Sequence, residues 1–371
     1  MRTLFLTVHP AEGPSSRYRV LQYIPHFEAN GIHCDVSPFL SREFYRIVYR
    51  PGQRLRKVKH LAGSLLRRMR DIARLRRYDL VFIHLGAVPF GPPLFEWILN
   101  NLKIPYVFDL DDALFLRENH SRHGMASWFR CPSKYGSILR WSRHVITCND
   151  FLSEYARRYT KQVSMIPTSL DLEMFRPLTE RPKNSRPLIG WIGSHTTAPY
   201  LNLMKPVLAR LAQKHRFTFK VVGAPGPVRI PGVEVVQEDW SLEKDVARFQ
   251  KLDIGVYPLP RDTWVNGKSG FKTIQYMAVG VPCVVSRVAR NCEIVEDGVN
   301  GFLADTEEEW LQRLEILLTD AGIRDKFARE GRRTVEERFS MRGHVPRYLE
   351  IFQQAARRAQ GLRAQEECRK L

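Results

Sequence analysis

Between Asn266 and Ser286 the chain reads N-G-K-S-G-F-K-T-I-Q-Y-M-A-V-G-V-P-C-V-V-S. Small residues and two lysines, Lys268 and Lys272, stand just before a helical pattern that puts Ile274, Met277 and Ala278 on one side. Gly280 stops that helix, and Val281 to Val285 has the unbroken apolar character of a buried strand. The N–H groups of a helix start and the helix dipole both favour negative charge. These residues therefore suit a diphosphate, cradled by Lys268, Ser269, Gly270, Phe271 and Lys272. Isolated lysines are more often solvated surface residues. The position beside a helix start is what favours phosphate.

A second group lies in the first half. The strand P-Y-V-F-D ends in D-L-D-D, which places Asp109, Asp111 and Asp112 at a strand C-terminus. Asp111 is suited to bond hydroxyls or to take a proton, and Asp111 or Asp112 is equally suited to cap a short helix over Ala113 to Arg117. His84 closes another buried strand and ranks below Asp111 as a base. Gly13 to Arg19, G-P-S-S-R-Y-R, follows the first strand. There Ser15 or Ser16 is expected as an N-cap, and Arg17 and Arg19 point either to a phosphate or to solvent. Glu293 reads as a cap. Trp191 and Trp264 read as packing residues, as does Trp240, which otherwise would line a base pocket. The six cysteines are scattered without a C-x-x-C pair, so reduced thiols are expected and a zinc site is not.

These groups need a scaffold, and the pattern supplies one. Strands are expected at Thr3 to Val8, Cys34 to Phe39, Asp79 to His84, Pro105 to Asp109, His144 to Cys148 and Val163 to Pro167. Helices alternate with them, including one over Ser15 to Asn30. A Pro-rich polar stretch from Arg176 to Pro187 breaks the pattern, which restarts at Leu188 to Ile192. Two α/β units with parallel sheets follow, divided as 1–178, a linker at 179–187, 188–340, and a tail at 341–371. The tail helix carries Tyr348, Ile351, Phe352 and Ala355 on one face and is expected to pack back on the first unit, with loose residues after it. Ligands in such sheets sit beyond the strand C-termini, so a cleft between the units is the expected site.

The 371 residues carry 58 Lys and Arg against 39 Asp and Glu, a net charge of +19, which favours anionic partners. Twelve basic residues and one acid, Asp71, lie between Arg46 and Arg77. Leu61, Leu65, Leu66, Met69, Ile72, Ala73 and Leu75 recur among them at helical spacing. Such a helix lies on an anionic membrane surface, or packs its apolar side on the core and shows solvent a basic face. No apolar run reaches the roughly 18 residues of a span. The N-terminus reads as a strand rather than a signal peptide. A cytoplasmic location is the expectation, peripheral on the inner membrane face if that helix takes the first of its two roles.

The second half resembles the nucleotide-binding domain of retaining GT-B glycosyltransferases of family 4. The resemblance rests on G-W-I-G-S (Gly190 to Ser194), K-V-V-G (Lys220 to Gly223), D-I-G-V-Y-P (Asp253 to Pro258), G-F-K-T-I-Q-Y-M-A-V-G-V-P-C-V-V and E-I-V-E-D-G-V-N-G-F-L (Glu293 to Leu303), in that order. In the first half, I-P-T-S-L-D-L-E-M-F-R-P (Ile166 to Pro177) is similar to that family's exit from its first domain. The resemblance implies two Rossmann-like domains facing a central cleft. It also implies sugar transfer from a nucleotide diphosphate to a lipid-linked or polysaccharide acceptor, with retention, in cell-surface glycan synthesis. It implies donor binding by Gly13, Arg17, Gly193, Ser194, Ser269, Gly270, Phe271 and Gln275, Asp111 as a catalytic group beside the donor sugar, and no catalytic metal; charge balance adds Lys268 and Lys272 to the donor site, with Lys268, or Asn266, in the catalytic place of a lost glutamate. The family's paired glutamates are replaced by Gly267 and Gln275, and its Arg and Lys after the first strand by S-H-T-T (Ser194 to Thr197). Those departures leave open a sugar-nucleotide hydrolase or epimerase and a binding-only homologue. The charge leaves open a nucleic-acid binder, although no recognised module supports one and no nucleic-acid partner is expected.

Overall fold

The computed structural model describes residues 1–48, 50, 52–116, 131–180 and 184–370, with side chains described as far as residue 357. Arg117, and Pro182 and Lys183 of the expected linker, lie outside them. The chain forms two compact units, Met1–Thr168 with Arg342–Leu371, and Ser169–Met341. The division falls at Thr168, and the described part of the segment expected as a linker belongs to the second unit.

The first unit contains β1 (Arg2–Thr7), α1 (Pro14–Arg19), α2 (Ile24–Ala29), β2 (His33–Pro38), α3 (Arg42–Val48), α4 (Arg54–Arg74), β3 (Leu80–His84), α5 (Leu94–Asn101), β4 (Tyr106–Leu110), α6 (Lys134–Trp141), β5 (His144–Thr147), α7 (Asp150–Arg157) and β6 (Val163–Met165). Its sheet runs β2-β1-β3-β4-β5-β6 with every pair parallel. β3 and β4 are buried along their whole length, as a strand covered on both faces must be, which explains their unbroken apolar sequences. The helix expected over Ser15 to Asn30 is broken. Pro25 has no N–H to continue it, so a 3-10 turn at Leu21–Tyr23 separates α1 from α2.

The second unit contains β7 (Leu188–Ile192), α8 (Met204–Leu211), β8 (Thr218–Val222), β9 (Glu234–Glu238), α9 (Asp245–Gln250), β10 (Ile254–Tyr257), α10 (Phe271–Ala278), β11 (Cys283–Ser286), α11 (Asn291–Ile294), β12 (Phe302–Ala304), α12 (Glu307–Thr319) and α13 (Ala321–Arg338). Its sheet runs β12-β11-β10-β7-β8-β9, again all parallel. Trp191, Phe219, Val256 and Leu314 lie in its core. Thr306 caps α12 in a reciprocal box with Glu309.

The last helix, α14 (Met341–Lys370), continues to Lys370 where a loose tail was expected. Its Tyr348 and Phe352 pack into the first unit. Phe352 lies 6.0 Å from Phe5, 5.2 Å from Phe27 and 5.6 Å from Phe82, centroid to centroid, and Tyr348 lies 4.8 Å from Tyr23. The expected return of the C-terminal helix is therefore observed within that unit.

α4 departs from the bland expectation of a helix with its apolar side inward. Its fully buried residues are Ser64 and Arg68. Arg68 donates to Ala87 O at 2.8 Å, Thr7 O at 3.1 Å and Ser37 Oγ at 2.9 Å, and pairs with Asp71 at 2.9 Å. Leu61 joins a small cluster around Phe39 and Phe44, while Leu65, Leu66 and Met69 face solvent. A polar inner face satisfied by backbone carbonyls thus holds the helix on the sheet.

Candidate functional site

In both sheets the chain leaves its first strand in one direction and returns to extend the other side. The switch falls between β1 and β3 in the first unit and between β7 and β10 in the second. Loops leaving adjacent strands in opposite directions open a crevice at the strand C-termini, the usual ligand position in such sheets.

In the second unit, Gly193 and Ser194 follow β7, and Lys268 to Gly270 follow β10 and lead into α10. Gly270 caps α10 with φ +67°, a left-handed conformation that favours glycine, and a Cβ there would press on the end of the Ile294 side chain. At Gly223, with φ +83°, a Cβ would run into the Gly193 carbonyl. Tyr276 of α10 lies against Gly255, and its hydroxyl donates toward the carbonyls of Gly190 and Val256 at 3.2 Å each. The body of α10 is thereby tied to both strands that flank the switch point. Ser194 is exposed, in a turn where Thr197 N bonds Ser194 O at 3.0 Å.

The lysines are held from outside the loop. The Lys268 ammonium lies 3.3 Å from the Trp264 ring centroid. Lys272 donates to Gln275 Oε1 at 2.8 Å and lies 5.1 Å from the Phe249 ring centroid. Gln275 is fully buried, with its carboxamide turned to Lys272. The buried Gly267 offers no side chain where a glutamate would be. Trp264, read from sequence as packing, is the platform for Lys268. Trp240 instead donates to Asp245 at 3.0 Å, and Trp191 is buried. Glu293 pairs with Arg290 rather than capping through its side chain.

In the first unit the strand register places His84 beside Asp109. His84 Nδ1 lies 2.8 Å from Asp109 Oδ2, and Nε2 lies 2.8 Å from Ser15 Oγ. Ser15 also bonds the Asp111 carboxylate through Oδ2, leaving Asp111 Oδ1 buried without a hydrogen-bond partner. Asp109 is clasped by the buried Arg19 through both oxygens, and Arg19 Nη1 donates to Ile166 O at 2.6 Å. The expected Ser15 or Ser16 cap is absent. Gly13 caps α1 without a side-chain bond, and Ser16 Oγ instead accepts from His9 N at 3.3 Å. Arg19 is correspondingly unable to face a phosphate. Arg17 stays half-buried, stacked 4.6 Å from the Tyr18 ring centroid. Asp112 Oδ1 accepts from Ala113 N at 2.9 Å, and 113–116 forms a turn rather than the expected helix.

The chain Asp111–Ser15–His84–Asp109–Arg19 has two self-consistent proton patterns of equal net charge. In one, the Asp111 carboxyl donates to Ser15, Ser15 to His84 Nε2, and His84 Nδ1 to Asp109. In the other, Ser15 donates to ionised Asp111 and His84 carries both ring protons. The two differ by a proton passed through Ser15. Burial raises Asp111 above the ordinary carboxylate range, with repulsion from Asp109 adding to it, against the pull of His84 and Arg19. Burial would raise Asp109 too, but Arg19 and His84 outweigh it and hold that carboxyl low. The sequence offered one signal for the pair: two adjacent apolar strands ending in His and Asp. Ser15 was marked there only as a helix cap.

The sequence profile of the family Glycosyl transferases group 1 matches residues 186–320. Among solved structures the chain is similar to sucrose-phosphate synthase from Thermosynechococcus elongatus, at TM-score 0.69 and 15% identity over 95% of this chain and 98% of that one. A glycosyltransferase from Rickettsia africae gives TM-score 0.67 and 12% identity over 95% and 98%. Anabaena HepE in complex with UDP-glucose gives TM-score 0.65 and 15% identity over 97% and 100%. The fold is GT-B. No curated protein sequence matches the chain at a significant level. The matched region, β7 to α12, contains the whole switch-point loop of the second unit.

Proposed function

We propose that the protein is a glycosyltransferase that moves a hexose, with retention, from a nucleotide-diphosphate sugar to a lipid-linked or polysaccharide acceptor in cell-surface glycan synthesis. The observation that carries this reading is the loop Lys268–Gly270 at the start of α10, with a lysine on either side of the glycine cap at the β7/β10 switch point. A leaving diphosphate needs fixed positive charge and close backbone, and no metal is required where lysines and a helix dipole supply them. Gly193, Ser194, Ser269 and Phe271 would line the same diphosphate, and Gln275 would position Lys272. Gly13 and Arg17 are assigned to donor binding from the first unit, as the resemblance implies. The bound UDP-glucose of HepE makes UDP and UDP-glucose the first probes.

Asp111 is assigned to the acceptor hydroxyl. As carboxylate it takes the hydroxyl proton while the oxygen bonds the anomeric carbon on the face from which the diphosphate departs with the bonding pair, so that the anomeric configuration is kept. Ser15, donating to that carboxylate, holds it in place. Calorimetric titration with UDP, GDP and ADP and their common sugars tests the donor assignment. Lys268→Ala and Lys272→Ala should each raise the dissociation constant about 10- to 100-fold, the worth of a charge-assisted bond. Unchanged affinity in both would remove the diphosphate site. NMR of the product anomer tests retention. A second reading, hydrolysis or epimerisation of the sugar nucleotide, is favoured by Gly267 and Gln275 in place of carboxylates. Release of free or epimerised sugar without an acceptor would select it.

A further inference from the structure

The outer face of α4 is apolar. Leu55 is 88% exposed, Val58 64%, Met69 63% and Leu66 54%, and Leu65 is exposed beside them. At about 100° per residue these five fall within an arc of about 100°. Exposed Lys59, Arg70, Arg56 and Arg74 occupy the adjoining arc. The inner face is held by Arg68 and Ser64 through polar contacts, so the stripe does not arise from a helix turned the wrong way. α5 lies on the same side of the sheet, since both helices precede strands added in the same direction. The two are joined at Ala87, whose carbonyl accepts from Arg68 and whose N–H donates to Glu96. α5 also turns an aromatic outward, Trp97.

We propose that this face docks the protein on an anionic bilayer, with the α4 stripe in the acyl boundary and the flanking basic row against lipid phosphates. A row of apolar side chains that large is seldom left to water on a free monomer. An amphipathic helix with a basic flank fits the headgroup boundary of an anionic leaflet. A second copy is a poor occupant, because its basic row would meet this one. A nucleic acid would leave the stripe wet.

The test is flotation with vesicles of phosphatidylcholine, with and without phosphatidylglycerol. The protein should float with the anionic vesicles and stay down with the neutral ones. Leu66→Ser with Met69→Ser should weaken binding at least about tenfold. Arg70→Gln and Arg74→Gln should each weaken it about fivefold, and added salt should weaken it further. All four positions are exposed, and matching thermal unfolding would show that the variants fold. Equal flotation with neutral vesicles, or undiminished flotation of the Leu66/Met69 variant, would overturn the proposal. So would a lipid-free dimer by sedimentation velocity that the same variant dissociates. Flotation needs neither donor nor acceptor, so it can fail while the transferase reading stands, and the reverse.

Discussion

Asp109 and Asp111 are two residues apart and flank the same imidazole, yet their environments push their titrations in opposite directions. Asp109 neutralises the fully buried Arg19, so Asp109→Asn leaves a guanidinium without its counter-ion. That variant should lose about 3–5 kcal/mol in urea unfolding, the cost of breaking a buried pair from one side. Asp111 is held above the usual carboxylate range by burial, and an amide there removes a charge that folding disfavours. Asp111→Asn should keep its stability within about 1 kcal/mol while losing turnover. Equal stability loss in both would show that the carboxylates are interchangeable supports. A third residue gives a pH signature. Burial, then repulsion by His84, lowers His9 from 6.5 to about 4. The unfolded chain therefore takes up a proton that the fold refuses. The stability tied to His9 is complete above pH 6.5 and is lost as pH falls toward about 4. Because His9 is partly exposed, the loss should be roughly 1–3 kcal/mol, and His9→Gln should flatten this limb of the stability–pH curve. Of these residues, only the strand-end Asp and His were legible in the sequence. The Ser15 contacts join positions 69 and 96 residues apart, and no local spacing encodes them.

At the scale of elements, α10 and its loop were readable because several local signals agree there. They are a glycine before the helix, a glycine after it, apolar residues at helical spacing and a β-branched strand beyond. Gly270→Ala tests whether the cap geometry matters. It forces a Cβ into left-handed backbone and against Ile294, so it should cost about 1–3 kcal/mol in thermal unfolding. It should also weaken UDP binding more than Gly298→Ala, which shares a positive φ but meets open space. α4 was the opposite case. Periodicity correctly located the helix, but which side turned inward depended on the carbonyls of Thr7 and Ala87, which only the folded sheet brings to Arg68. The helix break at Pro25 belongs to the same lesson. Apolar spacing runs through it, but a residue without an N–H forces a fresh start, and a 3-10 turn precedes the new helix.

At the scale of the molecule, the first unit is closed by residues from the far end of the chain. Phe352 and Tyr348 of α14 complete an aromatic cluster with Phe5, Phe27 and Phe82, whereas the core of the second unit is built between Ile189 and Phe327. The tail pattern at Tyr348, Ile351, Phe352 and Ala355 foretold a packed helix, and the surplus of apolar strands in the first half supplied a surface for it. Removing one ring should therefore act on one unit. Phe352→Ala opens a cavity among rings 5.2 to 6.0 Å away, at a typical cost of about 3–5 kcal/mol. In calorimetry with UDP present, the ligand should raise the transition of the unit that binds it, by mass action. Phe352→Ala should lower the other transition and leave the UDP-shifted one in place. A single transition that moves with both the substitution and the nucleotide would show that the two units unfold together, and that the C-terminal helix stabilises the nucleotide site as well as the sheet it covers.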